Sequence, residues 1–271
     1  MDLGLKDKVA LVTGAGQGVG RRIAMDFAAE GARVLVNDLF PERAEAVAQE
    51  IRDAGGVAYA AAADITDAAQ VERMVSEGAA QAGAPVSILV NNAGIIPERR
   101  AKGGMAPTFL ETGPDDWKKI IDLNVYGMLH CCRAVLPAMR EQKWGRIVSI
   151  ISEAGRAGEA RLAVYSGAKA AMLGFSKAIA QEHGRDRITV NCVALGAVSH
   201  EGIKSGPLAP DATPETNERL GKMLGAYPVA RGLQRLSRPE DIAAQVLLLA
   251  SERAAYTTGQ SIGVSGGFVM Q

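Results

Sequence analysis

The chain has 271 residues, 48% of them apolar, and its 30 acidic and 30 basic residues cancel to a formal charge of zero. That balance argues against a nucleic-acid surface or a polybasic membrane patch, no apolar run approaches the roughly 20 residues of a membrane span, and the short charged stretch before Val9 leaves no room for a secretory signal, so a cytoplasmic protein is expected. Cys131, Cys132 and Cys192 show no CxxC spacing and His130, His183 and His200 stand far apart, so neither a disulfide framework nor a metal site is expected.

Apolar strands alternate with amphipathic helices from the start. Val9 to Thr13 reads as a short buried strand, followed by a glycine turn and a helix from Gly18 to about Glu30 that Gly31 ends. Arg33 to Asp38 reads as a second strand. Pro41 suits the first turn of a helix running to about Ala54, where Gly55-Gly56 stops it. Further strands are expected at Val57 to Ala61, Ile88 to Asn91, Gly145 to Ile151, Ile188 to Val193 and Ser261 to Val264. Helices are expected near Thr66 to Ala82, Pro114 to Arg140, Val164 to His183 and Pro239 to Ala250. Strands that are apolar at nearly every position suit a parallel sheet covered on both faces. No seam divides the chain, so the expectation is one domain over residues 1–271. Its fold class is α/β, a Rossmann-type doubly wound parallel sheet with helices on both faces, and ligands belong at the carboxyl ends of its strands. Two segments break the rhythm, 95–113 and 199–238, the second with a helical piece near Thr216 to Leu224. Both follow strand ends, where loops carry substrate contacts.

Thr13-Gly14-Ala15-Gly16-Gln17-Gly18-Val19-Gly20 joins the first strand to the first helix. Gly14 allows the tight turn, while Gly18 and Gly20 let the backbone approach a pyrophosphate over the helix N-terminus, where free amides and the helix dipole favour an anion. Asp38 ends the second strand at the distance expected for a carboxylate that hydrogen-bonds an adenosine ribose and repels a 2′-phosphate. Gln17 and Leu39 put no cation where a phosphate-binding Arg or Lys would stand, although Arg43 is close in sequence. NAD is therefore expected over NADP. Tyr165 and Lys169 lie four apart on an expected helix and share one face, with Ser152 thirteen positions before the tyrosine. A free phenol titrates near pH ~10, and a nearby ammonium and an oxidised nicotinamide both favour phenolate, which suits Tyr165 to general acid and base work. Ser152 would orient the substrate oxygen and stabilise its charge. Taken singly, each has an ordinary structural explanation: a turn glycine, a strand-end aspartate, a helix-surface Tyr and Lys, a capping serine. Their joint spacing points to an oxidoreductase.

Over essentially its whole length the chain resembles the short-chain dehydrogenase/reductase family, in its single-domain branch. The family's TGxxxGxG pattern stands here as Thr13 to Gly20, its NNAG as Asn91-Asn92-Ala93-Gly94 and its YxxxK as Tyr165 to Lys169. Arg238-Pro239-Glu240-Asp241, Thr258-Gly259-Gln260 and Val264-Ser265-Gly266-Gly267 look like its C-terminal end. The resemblance implies that Asp64 and Ile65 flank the adenine and that Asn92, Ala93 and Gly94 pack beside the cofactor. It implies a catalytic tetrad of Asn124, Ser152, Tyr165 and Lys169, with Lys169 also holding the nicotinamide ribose and Asn124 positioning a water that links Lys169 to solvent.

Departures from the family pattern bear on the substrate. Ser149-Ile150-Ile151-Ser152 keeps the serine of the usual Asn-Ile-Ser-Ser but loses its neighbour. Where the family reads Pro-Gly-x-Val-x-Thr, this chain has Leu195-Gly196-Ala197-Val198-Ser199-His200. Gly196 and Val198 keep their cofactor-side positions, while the threonine's contact to the carboxamide passes to His200 or Ser199; equally, His200 sits on a mobile loop. Glu153 is a candidate pocket residue, or a solvated loop glutamate. Arg99, Arg100 and Lys102 either steer an acidic or CoA-linked substrate or only solvate their loop.

The expected activity is an NAD-dependent alcohol dehydrogenase or ketone reductase acting on a secondary hydroxyl of a small, largely apolar molecule. The alternatives are an NADPH-linked 3-oxoacyl reductase and a catalytically silent NAD-binding redox sensor. The resemblance also implies a homotetramer or homodimer built through two long helices, and the small residues around Ala168, Ala170, Ala171 and Gly174 permit such packing.

Overall fold

Seven short apolar runs pair into one parallel sheet in the computed structural model, which describes residues 1–94, 106–204, 207–215 and 217–270. In chain order the elements are β1 (Val9–Val12), α1 (Gly18–Ala29), β2 (Arg33–Val36), α2 (Pro41–Asp53), β3 (Val57–Ala60), α3 (Ala68–Ala82) and β4 (Ile88–Asn91). There follow α4 (Pro114–Ile121), α5 (Gly127–Gln142), β5 (Gly145–Ser152), α6 (Ala154–Ala157), α7 (Ala163–His183) and β6 (Ile188–Leu195). The last are α8 (Glu218–Ala226), α9 (Pro228–Leu233), α10 (Pro239–Ala250) and β7 (Ser261–Val264). The sheet order is β3-β2-β1-β4-β5-β6-β7. The order reverses between β1 and β4, which places a crevice at their carboxyl ends, the expected ligand position in such sheets.

Successive residues of each strand serve opposite cores, because side chains alternate across a pleated sheet. Ala10, Val12, Val34, Val36, Val90, Val148 and Val193 pack with residues of α1, α2 and α10 on one face. Val9, Leu11, Leu35, Leu89, Ile147 and Val190 pack with α3, α5 and α7 on the other. That double coverage is the physical reason the strands are apolar throughout. A smaller cluster of Leu220, Leu224, Ala230 and Leu236 forms the core of the 199–238 excursion.

The differences from the sequence expectation fall at element ends, in one interrupted helix and in two short additional helices. Strands β5 and β6 run on to Ser152 and Leu195, because those two residues are partners in a pairing that no local pattern reveals. Helix α3 starts at Ala68 because the Asp67 carboxylate accepts from the Ala69 and Gln70 amides. The stretch Pro114 to Arg140 is not one regular helix: a π-helical turn at Asp122–Tyr126 separates α4 from α5. Helices α6 and α9 were not anticipated. Among the described residues no helix is long and apolar enough to cross a membrane, and no group of His, Cys, Asp or Glu could hold a metal. Arg99, Arg100 and Lys102 lie outside the described residues.

Candidate active site

The NNAG segment holds the glycine turn from behind. Thr13 Oγ1 accepts from the Asn92 and Ala93 amides at 3.0 and 3.1 Å, and Asn92 Nδ2 donates to the Thr13 and Gly14 carbonyls at 2.9 and 3.0 Å. Gly14 has φ +62°, and a Cβ there would lie 2.9 Å from the Ala93 Cα. A Cβ on Gly20 would stand 2.3 Å from the Gly14 carbonyl oxygen, so backbone approaches backbone too closely for any side chain. Gln17 precedes α1 but makes no capping side-chain bond, and the first turn, with Gly18, Val19 and Gly20, carries no acidic residue. Helix α1 thus directs its first amides and a positive dipole end outward with no anion of its own turn to meet them.

Asp38 closes the other side of this crevice. It is 7% exposed, and its Oδ2 accepts from the Gly16 amide at 3.0 Å while Oδ1 accepts from the Phe40 amide at 3.1 Å. Gly16 is close-packed on the carboxylate: a Cβ on it would fall 2.5 Å from Asp38 Oδ2. Leu39 is half exposed. The Ala63 amide donates to the Asp38 carbonyl, which brings Asp64 and Ile65 to the end of the neighbouring strand. There the Asp64 carboxylate accepts from the Thr66 amide and hydroxyl, and Ile65 is buried against Gly127. A glycine cradle, a helix N-terminus with no acid in its own first turn and a hydrogen-bonded carboxylate at the end of β2 fit a dinucleotide.

The candidate proton-handling groups come from three elements. Lys169 is 3% exposed on α7, and its Nζ donates to the Ile150 carbonyl at 2.9 Å. Burial pushes its pKa down to about 8, with Cys192 opposing weakly. The Lys169 ammonium lies 5.7 Å from the centre of the Tyr165 ring, one helical turn back. Asn124 enters from the π-helical turn, with Nδ2 donating to the Ile120 carbonyl at 2.9 Å. Its buried Oδ1 has no hydrogen-bond partner among the described residues. Asn124 Oδ1 and Lys169 Nζ each stand 2.8 Å from the point a Cβ on Gly94 would occupy, so Gly94 keeps open the space between an ammonium and an unsatisfied acceptor. A π turn inserts one residue into a helix and re-aims the side chains around it, a feature frequent at functional sites.

Ser152 ends β5 and caps the turn that follows. Its Oγ accepts from the Ala154 amide at 3.1 Å, which leaves the hydroxyl proton to be donated elsewhere. Helix α6 then lies directly on α7: a Cβ on Gly155 would be 2.7 Å from the Lys169 Cβ and 2.8 Å from its backbone carbon. This contact, which the sequence reading missed, sets the serine turn against the helix that carries Tyr165 and Lys169. A Ser-x-x-Gly spacing before a YxxxK helix was the signal available.

At the far end of the crevice, Gly196 packs under the Tyr227 ring, and the Ala197 amide donates to the Tyr227 hydroxyl at 3.2 Å. Burial raises the pKa of that phenol. Val198 bridges to Ser237, and the Ser199 amide donates to the Ser237 carbonyl at 2.8 Å. Tyr227 and Ser237 were not anticipated, since nothing local ties them to residues about thirty to forty positions earlier. His200 is 8% exposed and stands against Gly18, with Nδ1 accepting from the Gly202 amide at 3.1 Å, so it does not project from its loop. Glu153 is not a solvated loop residue: it is 1% exposed and ion-paired with Arg156 at 3.1 Å.

Comparison with known proteins agrees with this geometry. Residues 8–205 match the family described as short chain dehydrogenase. The chain is 36% identical over 265 residues to 3-oxoacyl-[acyl-carrier-protein] reductase FabG of Staphylococcus aureus, covering 97% of this chain and 98% of that protein. It is 37% identical over 265 residues to the (2S)-[(R)-hydroxy(phenyl)methyl]succinyl-CoA dehydrogenase subunit BbsD of Thauera aromatica, covering 98% of each. Its fold superposes with a TM-score of 0.85 on a 7 alpha-hydroxysteroid dehydrogenase solved with NADH and 7-oxo glycochenodeoxycholic acid, at 34% identity over 100% of this chain and 97% of that one. Sequence motifs, sheet order and site geometry therefore agree that the chain belongs to the short-chain dehydrogenase family of oxidoreductases.

Proposed function

We propose that the protein is a cytoplasmic NAD-linked enzyme that interconverts a secondary alcohol and a ketone within one dinucleotide-binding domain. The observation that carries the cofactor choice is Asp38, whose carboxylate is held rigid by the Gly16 and Phe40 amides at the end of β2. Its remaining lone pairs suit a ribose 2′-hydroxyl, and its charge opposes a 2′-phosphate. Asp64, Ile65, Ala93 and Gly94 would line the adenine and ribose side, and Gly196 and Val198 the nicotinamide side.

When bound, the nicotinamide gives or takes the hydride at the substrate carbon. Tyr165 gives a proton to the substrate oxygen during reduction and takes it during oxidation. The Ser152 hydroxyl donates to the same oxygen and stabilises the charge that develops there. Lys169, still mostly ammonium at pH 7 with a pKa of about 8, favours the phenolate of Tyr165. Asn124 Oδ1 faces that ammonium as the acceptor through which one water would relay the proton.

A second reading, reduction of 3-oxoacyl thioesters, is favoured by the acyl-carrier and CoA substrates in the names of the two relatives. Initial rates with NAD(H) and NADP(H) across secondary alcohols, hydroxysteroids and 3-oxoacyl thioesters separate the two. The expected outcome is NAD-linked turnover of an alicyclic or other largely apolar alcohol. Replacement of Tyr165 by Phe should lower turnover by about 10²–10⁴-fold while NADH binding, followed by nicotinamide fluorescence, persists. NADPH-linked reduction confined to thioesters would establish the second reading, and NADH binding without turnover of any substrate would make the protein a silent redox sensor.

A further inference from the structure

Residues 200–202 lie on the phosphate-binding turn itself. The Gly18 amide, first in α1, donates to Glu201 Oε1 at 3.2 Å from 183 residues away in the chain. Arg21 Nη1, one turn along, stands 3.7 Å from the same oxygen. The His200 ring covers Gly18, where a Cβ would be 2.8 Å from its Cε1, and a Cβ on Gly202 would be 2.7 Å from Gln17 Oε1. The segment is anchored behind by the Ser199 amide on Ser237 and closes in a turn from the Ile203 amide to the His200 carbonyl. Burial alone would raise the Glu201 pKa, yet it lies below the usual value because its own amide and that of Gly18 donate to it and Arg21 attracts it.

On the cofactor assignment proposed above, we infer that Glu201 is a tethered competitor of the dinucleotide pyrophosphate and sets cofactor affinity. Its carboxylate takes the helix-terminal amide and dipole that the pyrophosphate needs, and two anions cannot share that donor without repulsion. The exchange is cheap on the protein side. Glu201 is 54% exposed and returns to water when it leaves, and Arg21 keeps a second partner, its Nε donating to Glu50 at 2.9 Å. Hydride chemistry does not involve Glu201; the residue acts on binding and release.

Equilibrium binding of NADH, ADP and adenosine to the full-length protein and to the Glu201→Gln and Glu201→Ala variants tests this. Both variants are expected to bind NADH and ADP about two- to fivefold more tightly, the worth of one charge at a helix terminus, with adenosine unchanged because it lacks the pyrophosphate. The gain should shrink at high salt, since the groups are partly exposed. Unchanged or weaker binding of ADP, or an equal gain for adenosine, would overturn the inference while leaving the cofactor assignment standing. Failure of the unmodified protein to bind either NADH or NADPH would overturn both.

Discussion

Asp38 does two jobs with one carboxylate: it receives two backbone amides and so pins the glycine turn, and it presents charge to whatever lies over the end of β2. Substituting it with Ala should remove a charged hydrogen-bond acceptor worth about 1.5–3 kcal/mol. NAD affinity should therefore fall, with the NAD-to-NADP preference in kcat/KM dropping by about tenfold or more; an unchanged ratio would move the determinant elsewhere. Lys169 makes a pH prediction. Its folded pKa of about 8 lies below the ordinary 10.5, so between those values the unfolded chain binds more protons than the folded one. Stability contributed by this group therefore rises as pH goes from about 8 to 10.5. Denaturant titrations across that window should show the rise in the native protein and lose it in Lys169→Met. The residue types were legible from the sequence at both positions. Their burial was not, because it is set by helices and strands distant in the chain.

At the scale of elements, the seating of α6 on α7 fixes the turn after Ser152 against the helix that carries Tyr165 and Lys169. Gly155 meets the Lys169 Cβ and its backbone carbon, and backbone cannot rotate out of the way as a side-chain tip can. Gly155→Ala should therefore push Ser152 away from Tyr165 and Lys169. We expect a loss of about 1–3 kcal/mol in stability, typical of overpacking, measured by chemical denaturation, with kcat falling more than NADH affinity. The π turn at Asp122–Tyr126 makes a related point about legibility. The apolar periodicity of Pro114 to Arg140 reads as one helix because the residues flanking the π turn, Ile121 and Gly127, are themselves right-handed helical and no capping side chain marks the junction. The widened turn carries Asn124, whose Oδ1 shares the space beside Gly94 with Lys169 Nζ. Strand and helix cores were readable from local pattern, whereas the ends of β5 and β6 depended on each other.

For the whole molecule, the small residues of α7 divide by face. Ala168 is buried inside the chain, while Ala170, Ala171 and Gly174 are exposed, and a Cβ on Gly174 would meet nothing within 4 Å. That outer face is where copies would meet in the dimer or tetramer that the family resemblance implies. Light scattering should give a multiple of the 28.3 kDa chain, falling to the single mass in Ala171→Arg. The three cysteines are free and buried, and burial pushes the Cys132 thiol up to about 12 and raises those of Cys131 and Cys192. Thiol reagents should label them only as fast as the fold opens.

The sequence by itself determined the parallel α/β architecture, the glycine turn between β1 and α1 and the candidate site residues Asp38, Asn124, Ser152, Tyr165 and Lys169. The architecture, the turn and most of these residues depend on local periodicity and on residue types at characteristic spacings, while Asn124 is singled out by the family resemblance alone. Only the tertiary structure decided that Glu153 is a buried ion-pair partner, that Tyr227 lies on Gly196, and that Glu201 reaches the first amide of α1. Each of these unites residues through the packing of separate elements, and neither charge nor hydropathy along the chain records which distant groups the fold will bring together.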